Sequence, residues 1–168
     1  MTNSILPLRI GVGAIVLNEH NKVLVGKRKD NPIDKWQMPQ GGVDKNEDLY
    51  SAMRRELYEE TSITSFKLIR EIKRWLTYEL PANLKGKIWK GKFRGQKQKW
   101  YILRFTGDDK EINVKTKNPE FIDWKWIKIE ELPQSIVDFK KKIYEDLVEE
   151  ISKTIDKSFS KLLPYGIK

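Results

Sequence analysis

The chain has 168 residues, enough for one compact core and short of two. Its 39% hydrophobic and 11% aromatic content supports such a core and excludes a wholly disordered chain, despite 34% charged residues. Thirty-three Lys and Arg against 24 Asp and Glu give a formal charge of +9, a bias toward polyanionic partners, and the lack of cysteine excludes disulfides, thiolate metal sites and a cysteine nucleophile.

Residues 10–17 alternate with β-branched side chains, residues 18–22 form a polar turn, and residues 23–28 resume the apolar pattern, so a β-hairpin is expected. His20, the single histidine, falls in that turn as a solvated residue. Pro32, Pro39 and the pair Gly41 and Gly42 mark residues 30–46 as loop, with at most a short strand over residues 36–38. A helix follows, with Asn46 as its cap, Glu47 and Asp48 in its first turn and helix formers over residues 49–60. Further strands are expected over residues 66–75, 99–105 and 121–127, with Trp100, Trp124 and Trp126 in the core of the sheet. Residues 81–95 between them are basic and glycine-containing, and read as a mobile loop. Val137, Ile143, Tyr144, Leu147, Ile151 and Ile155 set a helical period for a closing amphipathic helix over about residues 137–159. This order of elements describes one domain over residues 1–168, α+β or layered α/β, with a mixed sheet. No export signal or membrane anchor is read at the N-terminus, and a cysteine-free chain fits a reducing cytosol, so a cytoplasmic protein is expected.

The first helix carries charge where a core should be. At about 100° per residue, Ala52, Met53 and Leu57 share a face with Glu56 and Glu60, and Glu59 lies at its flank. Ionised carboxylates on a packed face are costly unless compensated. A divalent cation would compensate them, and an all-oxygen set suits Mg²⁺ first, then Mn²⁺ or another divalent ion, rather than zinc. Phosphate chemistry follows from such a ligand set. The alternative is a solvated helix face with ion pairs to Arg54, Arg55 or Lys67. Gly41 and Gly42 favour the first reading, because they let the main chain approach a ligand closely.

Gly41, Glu47, Arg55-Glu56-Leu57, Glu59-Glu60 and Ser62-Ile63 stand at the spacing of the Nudix box, and over residues 41–63 the chain resembles the Nudix hydrolases. Ser62 stands where the family pattern usually has glycine, which bears only on the turn that ends the helix. The resemblance implies a Nudix α/β/α sandwich with a mixed central sheet, and hydrolysis of a nucleoside diphosphate linked to a further group. It also implies that Glu56, Glu59 and Glu60 face catalytic divalent cations, that Glu120 adds a fourth ligand, and that Arg55 orients a box carboxylate through Glu47. Glu59 is the preferred general base.

Outside the box, residues 36–42, 75–81, 95–100, 119–121 with Trp124 and Trp126, and 137–140 are similar to the bacterial RNA pyrophosphohydrolases and the related dinucleoside polyphosphate hydrolases. The first likeness implies conversion of 5′-triphosphorylated RNA to the 5′-monophosphate with release of pyrophosphate, which would promote mRNA decay. The second implies a dinucleoside polyphosphate, such as diadenosine tetraphosphate, as substrate. A silent nucleotide- or RNA-binding Nudix module is a third reading, disfavoured by the intact carboxylate set. Arg9, Arg28, Gln40, Gly41, Gln96, Lys97 and Lys99 are candidate phosphate contacts, with Lys97 and Lys99 on one strand face. Phe139 and Lys140 pair an aromatic face for a base with a cation for the backbone, although Phe139 also suits a core anchor, and Tyr78 either stacks or packs. The sequence assigns no oligomeric state and no membrane partner.

Overall fold

The computed structural model describes residues 5–30 and 34–162, with side chains through residue 156, so Pro32 lies outside the described residues. β1 (Leu8–Leu17) and β2 (Val23–Arg28) form the expected hairpin, with Leu17 opposite Val23. Beyond that point the two strands diverge. β2 pairs with β3 (Trp36–Gln37) and β8 (Phe121–Ile127), whereas β1 pairs over Gly11, Val12 and Gly13 with β4 (Gln40–Gly42). The segment read as loop from its glycines is therefore a strand. Its backbone groups are satisfied by β1, a tertiary pairing that side-chain pattern does not encode.

On its other edge β1 runs parallel to β7 (Gly95–Phe105), from Leu8 beside Gly95 to Leu17 beside Arg104. β7 begins well before the expected residue 99 and takes two antiparallel partners in turn, β6 (Leu76–Glu79) over its first half and β5 (Phe66–Glu71) over its second. The single strand expected over residues 66–75 thus ends early, and β6 was not foreseen. The eight strands make one mixed sheet.

α1 (Leu49–Thr61) lies on one face of that sheet, where Ala52, Met53 and Leu57 join Val12, Val16, Leu24 and Leu103. The short α2 (Leu132–Ser135) and the long α3 (Lys141–Leu162) cover the other face, with Ile143, Tyr144, Leu147 and Ile151 against Ile15, Val25, Trp100 and Ile102. The result is the expected α/β/α sandwich. Each fully buried aliphatic side chain stabilises it by roughly 1.5–3 kcal/mol. Trp100 is wholly buried, while Trp124 and Trp126 are partly buried at the edge of the α1-side core. Among the described residues no helix is long and apolar enough to cross a membrane.

Three local readings change. The cap of α1 is Asp48, not Asn46: the Asp48 carboxylate accepts from the Ser51 N–H at 2.9 Å, and Asn46 sits at φ 64° in the turn before it. Glu47 is consequently outside the helix and free to meet Arg55. α3 begins at Lys141 rather than Val137, because residues 138–140 form a 3₁₀ turn that carries Phe139 and Lys140 toward the sheet. Residues 81–95 are not an open loop: Leu84, Ile88 and Trp89 pack against the core, and the Leu80 N–H donates to Arg94 O at 2.7 Å. Ser62 does adopt the left-handed cap, at φ 66°. Its hydroxyl donates to Asn113 O at 3.0 Å, a bond of about 0.5–1.5 kcal/mol that offsets the strain a glycine would have avoided.

Candidate active site

Where β1 and β2 part, a cleft of about 310 Å³ opens. Arg9 on β1 points into it because Gly11 and Gly13, the next residues of that parity, add no side chains, and its guanidinium lies 5.3 Å from the centre of the Trp89 ring. Arg28, at the end of β2, reaches the same cleft while held by Asp30 at 2.8 and 2.6 Å. Lys140 enters from the turn before α3, is only 6% exposed, and stands 5.3 Å from the Tyr78 ring and 5.8 Å from that of Phe139. Burial, with Arg28 nearby, lowers its pKa to about 8. Among the described residues its ammonium has neither hydrogen-bond nor ion-pair partner.

The opposite wall is acidic. Glu60 lies on the buried face of α1, accepts from the Gln40 N–H at 3.2 Å, and is pushed well above the usual carboxylate range by burial and by the charges of Glu56 and Glu120. Glu56 is also raised by burial, although Arg55 opposes the shift. Gly41 makes room for it: a Cβ there would stand 2.0 Å from Glu56 Cδ. Arg55 sits behind this wall. It binds Glu47 at 2.8 and 2.9 Å, Gly42 O at 2.9 Å and Glu56 at 2.9 Å, and so ties the β4 backbone to the helix. The paired Glu47 is held at a pKa of about 2, chiefly by that hydrogen bond.

Glu56, Glu60 and Glu120 also line a second cavity of about 510 Å³, joined there by Glu59 and Thr116. A third cavity of about 280 Å³ continues the cleft over Phe139, Ile88, Leu84 and Ile136 and shares Arg28 and Lys140 with it. The structure thus brings Arg9, Arg28, Gln40, Gly41, Tyr78, Gln96, Phe139 and Lys140 together with Glu56, Glu60 and Glu120 in one cleft, with Glu59 next door. Lys97 and Lys99 are not brought in. They share a strand face, but it is the one away from Gln96, where their ammonium groups lie 4.8 and 5.1 Å from the Trp75 ring. Gln37 and Trp89 line the cleft without having been anticipated, since nothing in a basic, glycine-containing segment marks Trp89 for a cleft wall.

The family model described as the NUDIX domain matches residues 7–147. The chain belongs to the Nudix family. It is 56% identical over 151 residues to a protein of Pelagibacter ubique named RNA pyrophosphohydrolase, covering 90% of this chain and 96% of that one. A Rickettsia prowazekii protein of the same name is 46% identical over 150 residues, covering 89% and 93%. In three dimensions the Nudix fold here resembles Escherichia coli dihydroneopterin triphosphate pyrophosphohydrolase, with a TM-score of 0.65 at 20% identity over 88% of this chain and 99% of that one. Nudix hydrolases generally work with a divalent metal. The donor chemistry of this Nudix box fits one: Glu60 is buried beside two like charges and, among the described residues, its one hydrogen-bond partner is a neutral amide, an arrangement a divalent cation would relieve. Among the described residues no three His, Asp or Glu side chains converge as a closed ligand set; Glu56 accepts from Arg55 and Glu60 from the Gln40 N–H.

Proposed function

We propose that this Nudix hydrolase, acting as a single domain in the cytoplasm, converts 5′-triphosphorylated RNA ends to 5′-monophosphates and releases pyrophosphate, a step that exposes the RNA to decay. The observation that carries the reading is the continuity of the cleft. A wall of donors, Arg9, Arg28 and Lys140, faces the box carboxylates and runs on into an apolar cavity beside Phe139 that suits a nucleobase. The names of the relatives from Pelagibacter ubique and Rickettsia prowazekii support it.

In this mechanism Arg9, Arg28, Lys140, Gln40 and Gln96 bind the phosphate oxygens, and Tyr78 and Phe139 contact the first bases. Glu56, Glu59, Glu60 and Glu120 would hold Mg²⁺, or Mn²⁺ or another divalent ion, which when bound would neutralise phosphate charge and acidify a water. Glu59, the box carboxylate most open to the second cavity, takes the proton of the attacking water. Arg55, itself held by Glu47, orients Glu56 and holds the Gly42 carbonyl directly. The bond between the α and β phosphates breaks, and the donors of the basic wall stabilise the leaving pyrophosphate.

A dinucleoside polyphosphate reading draws on one observation, that Ile88 and Trp89 of residues 81–95 fold over the cleft as a small ligand would require. The pure protein with Mg²⁺, given triphosphorylated RNA and diadenosine tetraphosphate at matched concentration, separates the two. Preferential conversion of RNA to the monophosphate, lost in Glu56→Gln, supports the proposal; cleavage of the dinucleotide alone replaces it. If neither is cut, a silent binding module becomes the reading.

Lys140 gives this site a pH signature. Its charge is present below about pH 8 and lost above it, so KM for triphosphorylated RNA should rise as pH passes through 8. Lys140→Met should raise KM by about 10- to 100-fold at pH 7, the worth of one charged hydrogen bond, and should flatten that rise. A KM that climbs through pH 8 unchanged in the variant would assign the effect elsewhere.

A further inference from the structure

Adjacent strands stand roughly 4.8 Å apart, so side chains on β4 and β7, which flank β1, are ordinarily separated by the side chains of β1 itself. Here they touch. Gly11 and Gly13 leave the cleft face of β1 bare, and across it Gln98 of β7 donates from Nε2 to Gln40 Oε1 at 2.9 Å and to Gln96 Oε1 at 2.7 Å. Gln98 Oε1 in turn accepts from Trp100 Nε1 at 3.2 Å. Gly13 is required for this, since a Cβ there would lie 2.4 Å from the Trp100 ring, and a Cβ on Gly11 would press to 3.0 Å on Gly41 O.

The direction of the chain of bonds is set by its first member. An indole N–H only donates, so Gln98 must turn its oxygen to Trp100 and its NH₂ group to Gln40 and Gln96. Those two residues must then receive it with their oxygens. Trp100 is wholly buried and Gln98 is 1% exposed, so water does not compete for the bonds. Neither Gln40 Nε2 nor Gln96 Nε2 has a protein partner among the described residues, and both side chains line the cleft beside Arg9, Arg28 and Lys140.

We infer that Trp100 and Gln98 are positioning residues that lock the amides of Gln40 and Gln96 with both nitrogens turned into the cleft as phosphate donors; the inference rests on the triphosphate reading above. The lock makes this part of the wall donate only. Phosphate oxygens, which only accept, are matched there, and a hydroxyl or amine ligand has no acceptor to meet. Amides do not titrate, so this hold on phosphate persists above pH 8, where Lys140 loses its charge.

The test uses the full ¹⁵N-labelled chain with inorganic pyrophosphate as probe, beside steady-state kinetics on triphosphorylated RNA. The side-chain NH₂ signals of Gln40 and Gln96 are expected to shift on titration, with that of Gln98 moving less. Gln98→Glu supplies only acceptors, which reverses both amides and turns their oxygens on the phosphates. It should raise KM at least about tenfold with kcat changed less than about threefold, and Gln98→Met, which cuts the relay without reversing it, should raise KM less. In a background with Gln40→Ala and Gln96→Ala the effect of Gln98→Glu on KM should vanish, which a merely structural role would not produce. Unmoved amide signals in a wild type that cleaves RNA, or a folded Gln98→Glu with KM within about twofold of wild type, overturn the relay. If Gln98→Glu fails to fold, the same criteria apply to Gln98→Met and the wild-type titration. Shifted amide signals in a wild type that leaves RNA uncut uphold the relay and overturn the substrate reading instead.

Discussion

Glu60→Gln is expected to lower kcat on triphosphorylated RNA by about 10²- to 10⁴-fold while making the metal-free protein more stable. Both effects come from one placement. Glu60 is 4% exposed and stands beside Glu56 and Glu120, so its charge opposes the packing of α1, while in the proposed mechanism it serves the chemistry of the cleft. Loss of a ligand or proton acceptor at such a site removes about 10²–10⁴ in rate. An amide of the same shape keeps the bond from the Gln40 N–H through its oxygen and removes the buried charge, for a gain of about 1–3 kcal/mol and a Tm higher by roughly 2–10 °C.

The sign can be read from pH. The folded pKa of Glu60 is raised above its ordinary value of 4.5, so the metal-free fold loses stability as pH climbs from 4.5 through that raised value. Glu47 acts in the opposite sense: with a folded pKa of about 2, its contribution is whole above pH 4.5 and disappears as pH falls from 4.5 toward 2. Thermal denaturation in chelator should therefore show wild-type stability declining from mild acid toward neutrality, and the decline should be smaller in Glu60→Gln. An equal decline in both proteins would remove Glu60 as its source.

Gly41→Ala is expected to lower kcat/KM by about 10²-fold or more through a single methyl group. The added Cβ would lie 2.0 Å from Glu56 Cδ and 2.2 and 2.4 Å from its two oxygens. Either Glu56 leaves its position beside Arg55, or β4 moves from β1, where Gly41 is paired with Val12. Gly41 has no positive φ, so the substitution tests space and not backbone conformation. Weakened Mn²⁺ binding together with the rate loss would place the damage at the carboxylates; an unchanged rate would show that the box tolerates displacement of Glu56.

The box was legible because its residues carry their own context. Glu56 and Glu60 among Ala52, Met53 and Leu57 violate the apolar face of a helix, and that violation is local. What depended on pairing between distant strands was not legible. Residues 40–42 hold two glycines and read as loop, and only β1 makes them a strand. The alternation of β7 showed that Lys97 and Lys99 share a face, but β7 is central and its second half is buried on both sides, so no polar stripe told which face meets the cleft. The register of Arg9 beside Gln96 decides it, and puts the glutamines inside. Gln98 escaped notice for the same reason: its role exists only once Gly13 of β1 stands between Gln40 and Trp100. Asn46 and Asp48 are both good caps by type, and the choice fell to the bond that Ser51 makes.

The parallel pairing of β1 with β7 also orders events during synthesis. β1 leaves the ribosome well before β7, the strand it needs on one edge, and Phe139 and Lys140 come later still. A fold so rich in distant pairings closes slowly, and until β7 arrives one edge of β1 stands uncovered, a template for unwanted association. The nascent chain will therefore have its box helix long before it has a cleft, and hydrolysis can begin only after translation of the core is complete.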